Sequence, residues 1–170
     1  MKETPQIILT SFHRARKMSG DKYSICRFQP SGSKLPELRF LAAEDASGCK
    51  LLIPSRLEAD QFAAAYRQAL LSRWELVRGW LDAINPQNGP ILLLCWCPFS
   101  EATKAEMRAG ETFLCHSGLI GKLINHYRPD VQVCLDEDRE AWLDVRWRPM
   151  TYEVVNSLGI IDKQQNLFCL

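Results

Sequence analysis

Residues 91–100 read ILLLCWCPFS, and this stretch decides the fold class. Its first seven residues form an uncharged apolar run, and the breaker cluster NPQNGP stands directly before it. A run that is apolar on both faces is typical of a central strand in a parallel sheet. The run is too short to span a bilayer, which takes about 20 apolar residues in a helix. We therefore predict a buried parallel strand over residues 91–97.

Helical and strand patterns alternate on either side of this strand. Apolar residues recur every three or four positions from residue 58 to 84, which predicts one long helix or two helices joined near Ser72. The other predicted elements are strands over residues 6–11, 22–28 and 131–135 and a helix over residues 117–127. This order predicts an α/β fold, a single three-layer domain with a mainly parallel, Rossmann-like central sheet.

Size and composition set the domain count and the compartment. A chain of 170 residues with a formal net charge of +1 is the size of one domain and has no overall attraction to nucleic acid or membrane. We predict one domain over residues 1–170, with residues 136–170 as a C-terminal extension packed on the same core. The seven cysteines, an odd number in apolar contexts, indicate reduced thiols in a cytoplasmic protein, and no secretory signal is apparent.

Cysteine and histidine residues mark the predicted functional site. In a parallel sheet ligands bind at the carboxyl ends of the strands, where Cys95 and Cys97 lie, and Cys115 and His116 open the next helix. Zinc binding is one alternative, but the spacing of these ligands argues against it, so no metal is predicted. A second is a reactive thiolate, for which Cys115 is the best placed, with His116 and Cys95 as further catalytic candidates. The third is packing, with a structural hydrogen bond from the histidine.

A binding site for an anion is compatible with each of these alternatives. Ser117 could cap the helix, whose N-terminal N–H groups favour anions. Thr10 and Ser11 end the first predicted strand, Arg14 follows it and Arg27 lies near the end of the second, so we predict that they converge at the same edge and bind phosphate. The alternative for the basic residues 11–17 is a solvated loop. The chain has no Walker loop, G-x-G-x-x-G or H-E-x-x-H motif, which argues against the common nucleotide-binding and zinc-protease classes. No cofactor is predicted.

Short motifs give the chain a resemblance to a known family. They are ILTSF at residues 8–12, YSICR at 23–27, LLLCW at 92–96 and FLCH at 113–116. Over residues 7–127 the chain resembles the domain-of-unknown-function family numbered 488, which consists of small bacterial α/β proteins. That resemblance implies an α/β fold with site residues among Thr10, Ser11, Arg27, Cys95, Cys115 and His116. It does not imply a reaction, because the family has no agreed activity.

The chain departs from the family pattern in two places. Ser117 stands where the family usually has arginine, which argues against an activity that needs a cation there. Cys97 and Pro98 replace residues that are usually charged.

Two classes of function remain open from the sequence. In the first, the protein binds or processes a phosphorylated ligand, such as a nucleotide or a nucleic acid, at the strand-edge site. In the second, it is a non-catalytic protein–protein interaction module, which uses Trp142 and Trp147 to dock on a partner or on a second copy as a homo-oligomer. No membrane partner is predicted. The acidic residues 136–139 fit a charged turn better than a magnesium site.

Overall fold

A parallel sheet with three helices forms the part of the protein that the computed structural model describes, residues 6–44, 48, 51, 59–86, 89–97, 100–102 and 116–136. The sheet has four strands in the order β2-β3-β1-β4, all parallel. The strands are β1 (Gln6–Ser11), β2 (Asp21–Ser24), β3 (Ile91–Cys95) and β4 (Gln132–Leu135), and the helices are α1 (Ala59–Leu71), α2 (Trp74–Ala83) and α3 (His116–Tyr127). The predicted α/β fold with a parallel sheet is confirmed.

Element boundaries agree with the predictions to within one residue except at two strand ends. The helical pattern divides into α1 and α2 at Ser72, whose hydroxyl donates to the carbonyl of Ala69 at 2.7 Å, so the two-helix alternative is correct. β2 ends at Ser24, shorter than predicted. The N–H of Ile25 still donates to the carbonyl of Leu94, but the chain then leaves the sheet. β3 ends at Cys95, two residues before the predicted end.

The two central strands carry the core. β1 pairs with β3 from Ile7 opposite Ile91 to Ser11 opposite Cys95, and side chains of both strands are buried on both faces of the sheet. On one face, alternate strand residues pack against apolar side chains of all three helices in one cluster. Burial on both faces explains the uninterrupted apolar run that the sequence shows for β3.

The handedness of the connections explains which face the helices cover. The connections from β2 to β3 and from β3 to β4 both run toward the β4 edge of the sheet. Parallel crossovers are almost always right-handed, so helices in connections that run in the same direction fall on the same face. The connection from β1 to β2 runs the opposite way and falls on the other face. It contains a 3₁₀ helix, Arg14–Lys17, whose Ala15 packs against Ile8 and Leu92.

On the second face of the sheet, the described residues form a layer without an α-helix. Its buried cluster joins strand side chains to Ala15, with Phe12, Met18 and Leu35 packed against them, and it has no member from α1, α2 or α3. For the described residues, then, the layer on this face consists of a 3₁₀ helix and loop residues. The predicted packing of residues 136–170 is described only at Asp136, because residues 137–170 lie outside the described part. None of the helices in the described ranges is long and apolar enough to cross a membrane.

Gly20 joins the second-face connection to β2 at a point where a side chain does not fit. Its φ is +123°, and an added Cβ would overlap the carbonyl oxygen of Pro90 and lie 2.7 Å from Leu92 Cδ1. That carbonyl accepts the N–H of Asp21 at 3.0 Å, which begins the pairing of β2.

We expect Gly20→Ala to destabilise the protein by about 2 kcal/mol more than Gly32→Ala. Gly32 is the matched control because its φ is +81° but nothing lies within 4 Å of its added Cβ, so only the cost of the left-handed backbone applies. Urea denaturation of both variants measures the difference. Equal losses would show that the close approach to Pro90 is relieved without cost.

Lys122 lies half-buried on α3, and burial lowers the pKa of its ammonium group to about 7. In the unfolded chain the ordinary pKa of 10.5 applies, so between about pH 7 and 10.5 the unfolded state binds more protons. The free energy of unfolding therefore rises with pH across this window. The destabilisation due to Lys122 is fully present below its folded-state pKa.

Lys122→Met should therefore stabilise the protein most at or below neutral pH, and the gain should shrink as the pH rises toward 10. Urea denaturation at several pH values measures this gain relative to the natural sequence. Lys34→Met, at an exposed loop position, is the control and should show no such trend. A gain from Lys122→Met that does not change with pH would contradict the assigned cause.

Candidate functional site

The carboxyl ends of β1 and β3 are the place where connections leave the sheet toward opposite faces. Ser11 and Cys95 are paired there, and the N–H of Phe12 donates to the carbonyl of Cys95 at 3.3 Å. In open parallel sheets the crevice at such a topological switch point is where ligands bind. We call this region, together with the residues that follow β2 and the first turn of α3, the carboxyl-edge site.

The first turn of α3 is held against β3 by a serine–cysteine contact. The Cys95 thiol lies 3.7 Å from Ser117 Oγ, and both residues are buried. The N–H of Cys97 donates to Cys95 Sγ at 3.3 Å. The prediction that Ser117 caps the helix is wrong: it is the second residue of α3, and its hydroxyl packs between the helix and the strand. Cys95 therefore joins these two elements.

His116 opens α3 and connects it to the residues that follow β2. Its Nε2 lies 2.9 Å from the carbonyl oxygen of Ile25, and because a carbonyl only accepts, Nε2 carries the proton. Nδ1 is then an acceptor in the neutral ring and a donor in the protonated ring. The ring also meets Tyr66 edge-on at 5.8 Å, and Tyr66 donates to the carbonyl of Leu41. His116 thus has a defined orientation at the edge.

A buried carboxylate organises the β1 side of the site. Asp136 follows β4, is only 3% exposed, and accepts hydrogen bonds from Thr10 Oγ1 at 2.8 Å and from Arg14 at 2.6 Å. Its φ of +54° places it in the left-handed region, which aspartate tolerates better than most residues. Ser11 Oγ accepts the N–H of Arg14 at 3.2 Å. Thr10, Ser11 and Arg14 therefore lie together, as predicted, around an acidic residue.

A second buried carboxylate organises the residues that follow β2. Glu44 binds Arg39 through two hydrogen bonds of 3.0 and 3.2 Å, and Arg27 Nε lies 3.6 Å from the same carboxylate. The hydrogen bonds that Arg39 donates to Glu44 raise the pKa of Arg39, with desolvation acting in the opposite direction. Because two arginines share one carboxylate, this group keeps a net positive charge. The ion pair with Glu44 places Arg27, a predicted phosphate ligand, beside the carboxyl edge of the sheet.

Aromatic rings border the site. Phe12 and Trp96 directly follow the paired residues Ser11 and Cys95, and their ring centroids are 5.3 Å apart. The indole N–H of Trp96 donates to the carbonyl of Phe28 at 2.8 Å. We call Phe12, Phe28 and Trp96 the aromatic patch.

The structure brings the predicted site residues to one edge but in separate groups. Thr10, Ser11 and Arg14 gather at Asp136, whereas Cys95, Ser117 and His116 gather where α3 meets β3 and the residues after β2. The backbone pairing of Ser11 with Cys95 joins the two groups. Cys115 lies outside the described residues, so its place in the site stays a prediction.

Three functional candidates were missed at the sequence level. Asp136 was considered only as part of a charged turn, although an acidic residue directly after a strand that neighbours β1 can reach Thr10 and Arg14. Glu44 lies in a segment without periodicity, so the sequence has no signal for its burial. Trp96 does carry a signal, because it extends an apolar run beyond the end of the buried strand.

Metal-binding geometry is not found in the described part of the chain. There, no three histidine, cysteine, aspartate or glutamate side chains are grouped closely enough to hold a metal ion. Cys26 has no disulfide partner in the described ranges.

Comparison with known proteins adds no further assignment. No family model, no curated protein and no solved structure matches the chain. The fold and the site define its class: an α/β protein with a parallel sheet and a polar carboxyl edge bordered by aromatic rings. Membership of family 488 stays a prediction from the short motifs.

Asp136→Asn should destabilise the protein by about 1–3 kcal/mol, because the amide has one acceptor oxygen for the two donors of Thr10 and Arg14. Asparagine also tolerates the left-handed backbone, so the loss reports the hydrogen bonds. Thr10→Val, which keeps the shape of the side chain, should lose less in the Asp136→Asn background than alone. Urea denaturation of the four proteins gives this coupling.

Asp130→Asn is the matched control, since Asp130 also binds an arginine, Arg128, but is exposed. Its loss should be clearly smaller. Equal losses at the two positions, or additive effects of Thr10→Val and Asp136→Asn, would contradict a structural role for the buried carboxylate.

Proposed function

We propose that the protein binds a phosphorylated ligand, a nucleotide or a nucleic acid, at the carboxyl-edge site, and that it belongs to the family that its motifs resemble. The observation that carries the proposal is the meeting of the first turn of α3 with the switch point. Ser117 contacts Cys95 there, and His116 contacts Ile25. The first turn of a helix has N–H groups that its internal hydrogen bonding does not use, and they favour anions.

Charged side chains on both sides of this turn support a phosphate ligand. Arg14 follows β1 and is 39% exposed, and Arg27 follows β2 and is partly exposed. Arg14 donates to the buried Asp136 at 2.6 Å, which sets its position before a ligand arrives, and Arg27 Nε lies 3.6 Å from the buried Glu44. Guanidinium groups with fixed positions bind phosphate at a lower entropic cost than mobile ones.

A chemical step at this edge would require an accessible thiolate. Cys95 is buried and contacts Ser117 and the N–H of Cys97, so we assign it the role of joining α3 to β3. Cys115 keeps its place as the candidate nucleophile on the sequence alone, with His116 beside it as the candidate base. Binding does not depend on this step.

The proposal predicts that phosphorylated compounds bind and that Arg27 contributes to the affinity. At low salt, inorganic pyrophosphate and nucleoside phosphates should raise the melting temperature, whereas an unphosphorylated nucleoside should raise it much less. Arg27→Met should weaken phosphate binding about tenfold, the usual effect of losing one charge-assisted hydrogen bond. Calorimetric titration measures the affinities. Arg39 still holds Glu44 in this variant, which protects the fold.

Arg78→Met is the matched control, because Arg78 is exposed on α2 and its ion pair with Asp82 is long, at 3.9 Å. It should leave the affinity unchanged. Flat melting temperatures with every phosphate compound would overturn the proposal. Equal weakening by Arg27→Met and Arg78→Met would show a general charge effect and no defined site.

A further inference from the structure

Two large aromatic side chains are exposed beside the carboxyl-edge site. Trp96 is 60% exposed and Phe28 is 63% exposed, although Trp96 directly follows the buried Cys95 and Phe28 lies two residues after the buried Cys26. Exposed apolar patches bordered by charged groups typically mark binding surfaces. Neither ring is needed for the core clusters, which do not include them.

The orientation of Trp96 is fixed although its face is exposed. Its indole N–H donates to the carbonyl of Phe28 at 2.8 Å, and Phe12 packs against it with ring planes at 57°. The indole N–H is the only polar group of a tryptophan side chain. When that N–H is already hydrogen-bonded, the exposed ring face is apolar and needs no hydrogen bond from a ligand. A flat, fixed and exposed ring face is the geometry on which another planar ring stacks.

Basic side chains lie close to the Phe28 ring. The Arg27 guanidinium lies 5.1 Å from the centre of the Phe28 ring, and that of Arg39 lies 6.0 Å from it. Residues 13–39, which contain this segment, hold seven lysines and arginines against two acidic residues. Aromatic rings alternating with arginines are typical of surfaces that bind unpaired bases through stacking and phosphates through charge.

The aromatic patch is continuous with the phosphate site proposed above. Trp96 follows Cys95, which contacts the first turn of α3, and Phe28 lies three residues after Ile25, which accepts from His116. Trp96 is thus one residue and Phe28 three residues along the chain from groups that hold the first turn of α3, where the phosphate is proposed to bind.

We infer that Trp96 and Phe28 form a platform on which an unpaired nucleobase of the phosphorylated ligand stacks. This inference rests on the proposed function and narrows its ligand to a nucleotide or a single-stranded nucleic acid. A purely apolar partner fits less well, because covering the patch would remove water from Arg27 and Arg39 without offering them an anion. Phosphates beside the base meet this requirement.

Titrations with four probes test the platform: a short single-stranded oligodeoxyadenylate, the same backbone with abasic sites, its matched duplex and deoxyadenosine monophosphate. The single strand should bind about tenfold more tightly than the abasic strand, because stacking acts on the base alone. It should also bind more tightly than the duplex, whose bases are paired. Deoxyadenosine monophosphate distinguishes a free nucleotide from a nucleic acid strand as the ligand. Binding of the monophosphate that is comparable to that of the single strand indicates a free nucleotide.

Variants of Trp96 test whether the preference for base-containing strands comes from the aromatic patch. Trp96→Leu should remove most of the tenfold preference for bases, whereas Trp96→Phe should retain much of it because a ring remains. Leu76→Ala is the matched control, since Leu76 is 61% exposed on α2 and should leave the preference intact. Acrylamide quenching, compared between the natural protein and Trp96→Phe, should show that Trp96 is accessible without ligand and shielded with it.

Abasic and base-containing strands of equal affinity would overturn the platform and leave the phosphate site standing, whereas failure of every probe to bind would overturn both. Duplex binding as tight as single-strand binding would also contradict stacking. A Trp96 ring that is already shielded in the free protein would show that another part of the chain, or a second copy, occupies the patch. That outcome would likewise overturn the inference.

Discussion

The parallel pairing of β1 with β3 is the interaction on which the rest of the structure depends. It brings Ile7–Ser11 alongside Ile91–Cys95, segments about 80 residues apart in the sequence, and it places both at the centre of the sheet. Each central strand is buried on both faces, so its backbone must be fully hydrogen-bonded to a neighbour. Once these two strands are central, β2 and β4 lie at the edges and the direction of every crossover follows.

The carboxyl-edge site is a consequence of those crossover directions. Because the connections after β1 and β3 leave toward opposite faces, the paired residues Ser11 and Cys95 mark the topological switch point of the sheet. The polar groups that border it satisfy one another: Asp136 accepts from Thr10 and Arg14, and the residues after β2 accept from His116. The edge is therefore rigid and polar before any ligand binds, which is the condition that phosphate recognition favours.

The sequence predicted the position of this site better than its contacts. The apolar run over residues 91–97 and the helix predicted to begin near His116 placed Cys95 and His116 at one edge, because the carboxyl end of a strand and the start of the next helix are close in any parallel unit. Ser117 was predicted to cap this helix, but it is the second residue of α3 and its hydroxyl is buried against Cys95. Asp136 was not predicted as a partner, because Thr10 and its carboxylate are separated by 126 residues.

Local patterns in the sequence by themselves determined the elements of the described part of the chain: four strands, a helical region over residues 58–84 whose division near Ser72 they left open, and a helix that opens near His116. Hydrophobic periodicity acts within one element, so it is visible without the fold. The tertiary structure alone decided the strand order, the face that each connection covers and the exposure of Trp96. The physical reason is that burial and pairing of distant segments depend on the closure of long loops, which no local pattern records.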